Sequence, residues 1–280
     1  MAGRFEGLSD LEWKLFEDIF PKQASKRGKG MPHTPYRHVL NSLLYILITG
    51  CRWCDIPRGD IWASKSSSHR WLKKWRCDGT FEHLQGRILA MPAAGYAYAD
   101  EKGLINWEFG AVDGSFPPGK GGGEEVAYGG KGKGILIHTL TEGNGMPLTN
   151  STTPANGNER EQVLPLLDKV KLKTLKRGRP RKRFKVLATD KGYDSKEKRA
   201  ALRKRGIRPQ IPKRVWKTKK NRGRPIKTSV PRFQQERCFA WYQRKYRRLV
   251  VRWERQKLYF DAFIDLATIH IWINKILLVG

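Results

Sequence analysis

Two stretches of this chain run apolar for several residues and then stop at an aspartate. In the run that begins at Phe184 and continues Val186-Leu187-Ala188-Thr189, the apolar residues predict a short buried strand. Asp190 ends it, Gly192 follows, and Asp194-Ser195 offers a helix cap. The stretch Trp107-Glu108-Phe109-Gly110-Ala111-Val112-Asp113-Gly114-Ser115 has the same form. Open α/β sheets hold their chemistry at the C-terminal ends of strands, so two such strands side by side bring Asp113 and Asp190 to one edge. A third acid, Glu236, lies near the start of an amphipathic and strongly basic segment, Arg232 to Arg248.

These carboxylates stand in a chain of 280 residues with 56 Lys and Arg against 26 Asp and Glu, a net charge of +30. Such an excess repels itself in the folded state and is expected where the partner is polyanionic. Nucleic acid is the leading partner and an anionic membrane the alternative. Three acids amid so many cations predict a divalent-metal site that works on a polyanion. The apolar stretch 40–49 is too short to span a bilayer, and the apolar stretch 259–279 carries Asp261, Asp265, His270 and Lys275. Met1-Ala2-Gly3-Arg4-Phe5 lacks the apolar centre of a signal peptide, so the expectation is a cytoplasmic protein without membrane association. Cys51 and Cys54 form a CxxC pair that is compatible with a zinc half-site. No second pair follows, and buried cysteines at a helix end are the preferred reading.

Residues 1–102 read as a helical unit. A helix over 9–20 has Ser9 as cap, Glu12 to complete a capping box, and Leu11, Leu15, Phe16 and Ile19 as its apolar stripe. Thr34-Pro35 opens a nearly all-apolar helix through Thr49, and Phe81 to Leu89 forms another. Between them, residues 61–75 interleave aromatic and basic side chains. On a helix, Trp71, Leu72 and Trp75 face inward, while Ser67, His69, Arg70, Lys73 and Lys74 face out as in a helix-turn-helix reading element. An amphipathic helix with a solvated basic face fits the same pattern.

From residue 103 the pattern changes to strands. A glycine-rich loop, 119–134, carries Lys120, Lys131 and Lys133 and reads as a flexible basic loop beside the site; a P-loop signature is lacking. A strand at 134–140 and a partner at 147–152 form a hairpin, with His138 read as a packed histidine. Asn158-Glu159-Arg160-Glu161 opens a helix with its acids at the positive end. Asp194 caps a helix over 195–205, and a strand follows at 207–211. Residues 171–225 hold 24 Lys or Arg against Asp190, Asp194 and Glu197. Within them Arg-Gly-Arg-Pro occurs at 177–180 and 222–225, so Arg177, Arg179, Arg222 and Arg224 can lie in a narrow minor groove or simply form basic turns.

Asp-Gly-Ser at 113–115, Thr-Asp-Lys-Gly-Tyr-Asp-Ser at 189–195 and Glu-Arg-Cys-Phe-Ala-Trp-Tyr-Gln-Arg at 236–244 resemble the three acidic blocks of bacterial insertion-sequence DDE transposases. Residues 49–57 and 73–82 resemble the helical region that precedes the catalytic domain in that family. The resemblance implies an α/β fold of the RNase-H-like kind: a mixed central sheet flanked by helices at 103–280, with a basic segment at about 171–230, after a helix-turn-helix-like domain at 1–102. It implies Asp113 on the first strand, Asp190 on the fourth and Glu236 on a later helix. Together these would hold two Mg²⁺ ions, with Mn²⁺ able to substitute, while Lys191, Arg232 and Arg237 position phosphates. The implied activity is cutting of double-stranded DNA at element ends and joining of the freed 3′-OH to target DNA. A homodimer on DNA, association with the nucleoid and no nucleotide cofactor go with it. A DNA-binding protein without catalysis and a nuclease of the same fold without strand transfer are the alternatives.

Overall fold

The computed structural model describes residues 5–23, 33–90, 99, 103–170, 172, 183–212 and 233–279. Its first part is helical. Ser9 caps α1 (Asp10–Lys14) through the expected box, with the Glu12 carboxylate accepting from the Ser9 amide. The helix is shorter than the periodicity predicts: it breaks before a 3-10 turn at Glu17–Ile19, and Leu11 is 54% exposed while Leu15 and Phe16 are buried. Helix α2 (Tyr36–Thr49) buries Leu40, Leu43, Leu44 and Leu47 and ends at Gly50 in the left-handed region. Ser64 caps α3 (Lys65–Cys77), and α4 (Thr80–Ala90) follows after one turn.

The second part is built on a mixed sheet. Strand β1 (Phe109–Ser115) lies between β3 (Gly132–Glu142), antiparallel to it, and β5 (Val186–Thr189), parallel to it. β4 (Pro147–Pro154) extends the sheet beyond β3, and β6 (Arg208–Gln210) extends it beyond β5. A short β2 (Ala127–Gly129) pairs with the start of β3, so much of the glycine-rich stretch is a hairpin and not a free loop. The other part of that stretch is held down: Glu124 donates its amide to the Arg255 carbonyl, and Lys257 bonds Glu125. The order β4-β3-β1-β5-β6 is that of the RNase-H-like core, with β5 in the place of its fourth strand.

Helices cover the sheet. The stretch after β4 gives a 3-10 turn at Glu159–Gln162 and then α5 (Val163–Lys169), where one helix was expected. Ser195, and not Asp194, stands at the cap of α6 (Lys196–Lys204), because Asp194 is drawn into an ion pair with Arg199 at 2.8 Å. α7 (Phe233–Arg244) lies along β1. The long α8 (Lys257–Val279) returns to the first part of the chain and packs on α3 and α4 as well as on β4. Phe263 meets Trp53, and the Trp272 indole donates to the Pro147 carbonyl at 2.6 Å. One continuous apolar cluster therefore runs from Leu15 through Trp75 and Phe81 to Val112, Leu187 and Trp272. No described helix is long and apolar enough to cross a membrane.

Candidate active site

The residues before both aspartates are buried: Ala111 and Val112 on β1, and all four residues of β5. Each strand is a core element up to its last register position and surfaces at the acid. Val112 pairs with Thr189 in the parallel ladder, so Asp113 and Asp190 are the next residues on each side, level with one another. Neighbouring strands lie about 4.8 Å apart, and level residues of a parallel pair share a face. Both aspartates are half-buried. The Asp190 carboxylate caps the 3-10 turn Lys191–Tyr193 by accepting the Lys191 amide at 2.6 Å, and Asp113 accepts the Gly114 amide at 2.8 Å. These bonds fix each carboxylate to the backbone at the end of the parallel ladder.

Around the pair stand three other groups. Tyr193 is buried, and its phenol is pushed far above its usual range by burial first and then by the Glu159, Asp113 and Asp190 carboxylates. His138, fully buried on β3, has one ring nitrogen 2.8 Å from the Thr153 hydroxyl, and burial lowers its pKa to about 4. It is thus neutral at pH 7, a packed histidine as its position in a strand implied. The β2–β3 hairpin carries exposed Lys131 and Lys133 at the same edge, because β3 starts where β1 ends.

Glu236 is not brought to the pair. It is exposed in the first turn of α7, next to Arg237, which donates to the Asn144 carbonyl in the β3–β4 turn. That turn lies at the opposite end of β1, since Glu142 pairs with Gly110 and Thr139 with Asp113. The last turn of α7 is the one at the site, with the Gln243 amide 3.5 Å from the Ser115 hydroxyl. Seven residues of helix, about 10 Å of rise, separate Glu236 from Gln243. Among the described residues no three His, Cys, Asp or Glu side chains stand close enough to hold a metal ion.

The expected DNA-contacting residues divide. Arg70, Lys73 and Lys74 are exposed on α3, with the Lys74 ammonium 4.7 Å from the Trp71 ring centre. Ser67 does not face out: it is 5% exposed and donates to the Thr34 hydroxyl at 3.2 Å, because the capped first turn of α3 tilts it into the helical core. His69 is at the surface but packs between Trp53 and Tyr259, at the wall of an open cleft of about 340 Å³. Lys191 and Arg237 are exposed, the first beside Asp190 and the second at the far end of β1. Arg177, Arg179, Arg222, Arg224 and Arg232 lie outside the described residues. The cysteine pair is also placed differently: Cys51 is half-buried and Cys54 exposed, on the surface-bound turn after α2.

A family model described as "Transposase DDE domain" matches residues 108–270, which contain the whole sheet and both aspartates. The chain belongs to the DDE transposase family. A second model, described as "Putative transposase of IS4/5 family", matches residues 8–85 in the helical region. Among curated relatives of this family member, the Burkholderia cepacia protein described as "Putative transposase for insertion sequence element IS402" is 39% identical over 134 residues, 48% of this chain and 60% of that one. The chain thus spans less than two thirds of that relative's length. A 16.2 kDa protein of the same element is 30% identical over 121 residues, 42% of this chain and 78% of the other. Among solved structures, the piggyBac transposase synaptic complex with hairpin DNA aligns over 94% of this chain and 70% of that one, at 11% identity and a TM-score of 0.40. That score is too low to bear on the site.

Proposed function

We propose that the chain is a DNA transposase that cuts at insertion-sequence ends and joins the freed 3′-OH to target DNA. The observation that carries this reading is the pair of aspartates at level positions of two parallel strands, inside a matched DDE domain. Their donor set fits Mg²⁺ or Mn²⁺: hard carboxylate oxygens, half-exposed, with water and substrate oxygens free to complete the coordination. Asp113 and Asp190 would hold the ions, with Glu236 as the third carboxylate of the set. When bound, divalent ions activate an oxygen nucleophile and neutralise charge on the attacking and leaving oxygens.

The chain's own residues do the rest by alignment. Lys191 presents a cation next to Asp190, and Lys131 and Lys133 present two more on the hairpin at that edge, so a phosphodiester that enters there is drawn in and held. Arg70, Lys73 and Lys74 give α3 a cationic face for the phosphates of the duplex. The basic Arg-Gly-Arg-Pro segments and Arg232 add to the same attraction, and a homodimer would bring two element ends together.

Incubation with DNA that carries an element end, a target plasmid and Mg²⁺ tests the reading, and joined products are the expected result. Cut but unjoined DNA would mark a nuclease of the same fold, and bound but intact DNA a protein without this chemistry. Asp190→Asn should lower cleavage at least 100-fold with DNA affinity unchanged, about the size expected when a group acting in the transition state is lost. Retained Mg²⁺-dependent cutting by this variant would remove Asp190 from the centre.

A further inference from the structure

Three polar atoms from three separate elements converge behind the aspartate pair. A side chain at Gly114 would start 3.7 Å from each of them: the Glu159 Oε2, the His138 Nδ1 and the Tyr193 hydroxyl. The last two are buried and have no hydrogen-bond partner among the described residues. Buried polar atoms without partners are costly, and their gathering next to a reaction centre calls for a role.

The placement of Glu159 supplies one. The 3-10 turn that carries it is capped by Asn158 and docked on the turn that carries Asp190: Arg160 Nε donates to the Gly192 carbonyl at 2.7 Å. Arg160 thus grips the Lys191–Tyr193 turn at the Gly192 backbone, and the Glu159 carboxylate faces the Tyr193 hydroxyl across Gly114, among the causes that raise that phenol. Asp190 is the cap of that turn, so whatever fixes the turn fixes the direction of its carboxylate.

We propose that Glu159 is a positioning residue of the catalytic centre, holding Asp190 in place through the Tyr193 hydroxyl and adding its charge to the field of the aspartate pair. The proposal rests on the reading of Asp113 and Asp190 as the metal-holding pair. Gly114 takes part by having no side chain, since a methyl there would put hydrocarbon among the three polar atoms. The chemistry recognised is that of a hydrated divalent cation, which Glu159 favours without touching it. Groups that support metal-holding side chains in this way typically change metal affinity by 10- to 100-fold when altered.

Mn²⁺ binding to the full-length protein, followed by electron paramagnetic resonance in the absence of DNA, tests this. Glu159→Gln keeps the size and the acceptor oxygen and removes the charge, so a purely space-filling role would leave it without effect. The expected result is a loss of Mn²⁺ affinity of about 10-fold, with the melting temperature of the metal-free protein unchanged. Tyr193→Phe, which removes one oxygen, should weaken Mn²⁺ in the same direction and carries the test if Glu159→Gln does not fold. Wild-type Mn²⁺ affinity in both variants would overturn the proposal. Asp190→Asn is the control: if it too binds Mn²⁺ as the wild type does, the reading of the pair itself fails, and if it alone loses binding, only the role of Glu159 does.

Discussion

At the scale of single residues, ionisable groups sealed inside the protein carry consequences that can be measured. Asp265 on α8 has a buried oxygen 3.4 Å from Arg76, and burial pushes its pKa up to about 7 in spite of that arginine. The folded protein therefore holds a proton that the unfolded chain gives up near pH 4. The stability this lends is complete below the unfolded value and is lost as the pH rises through about 7. Asp265→Asn should accordingly match the wild type near pH 4 and melt several degrees higher at pH 8, as read by calorimetry across that range; equal melting temperatures at pH 8 would refute it. His270 works in the opposite sense. Burial lowers it to about 3 from an ordinary 6.5, so stability falls as the pH drops below 6.5. Sequence pattern had marked Asp265 and His270 only as interruptions of an apolar run, since a pattern shows that a charge is embedded but not what it faces.

At the scale of elements, what was legible followed from local rules. The strands that lead to Asp113 and Asp190, the 134–140 and 147–152 hairpin and the apolar helix to Thr49 are all present, because alternation, apolar runs and turn residues act over short distances. Ser67 faces the core and Glu236 stands apart from the aspartate pair for a shared reason. Which way a helix face turns, and along which direction a helix lies on a sheet, are decided by partners far away in the chain. Ser67 is claimed by Thr34, and α7 is anchored by Asn144 at one end and Ser115 at the other. Glu159 was seen only as an acid at a helix start, because its neighbour Tyr193 is 34 residues away in sequence. The glycine-rich stretch likewise gained its meaning from a distant segment. Gly123, at φ +108°, lies so close to the Arg255 backbone that a Cβ would overlap it. Gly123→Ala should destabilise by about 2 kcal/mol or more, from backbone strain plus loss of the bond between Glu124 and Arg255, and urea unfolding measures it. A change under 0.5 kcal/mol would show that the strap is not held there.

At the scale of the whole molecule, the basic block after α7 ties the two halves together. Arg248 and Glu254 form an ion pair at 2.6 Å with side chains 8% and 3% exposed, and Arg248 also donates to the Cys51 carbonyl at 3.1 Å. Breaking such a pair from one side leaves a buried charge alone, which costs roughly 3–5 kcal/mol. Arg248→Met should show that loss in urea unfolding, and Arg248→Met with Glu254→Gln should recover much of it. An equal loss in the single and double variants would mean that the contact to Cys51, and not the pair, matters. Helix α8 completes the same union, since it lies on α3 and α4 as well as on β4. On the ribosome, this means that the cationic face of α3 waits for almost two hundred further residues before its underside is covered. A nascent chain halted anywhere ahead of position 257 would leave the faces of α3 and α4 that meet α8 open to chaperones and proteases. Frameshifts in the later part of the gene would therefore unsettle the helical half together with the sheet, and would not leave behind a stable amino-terminal fragment.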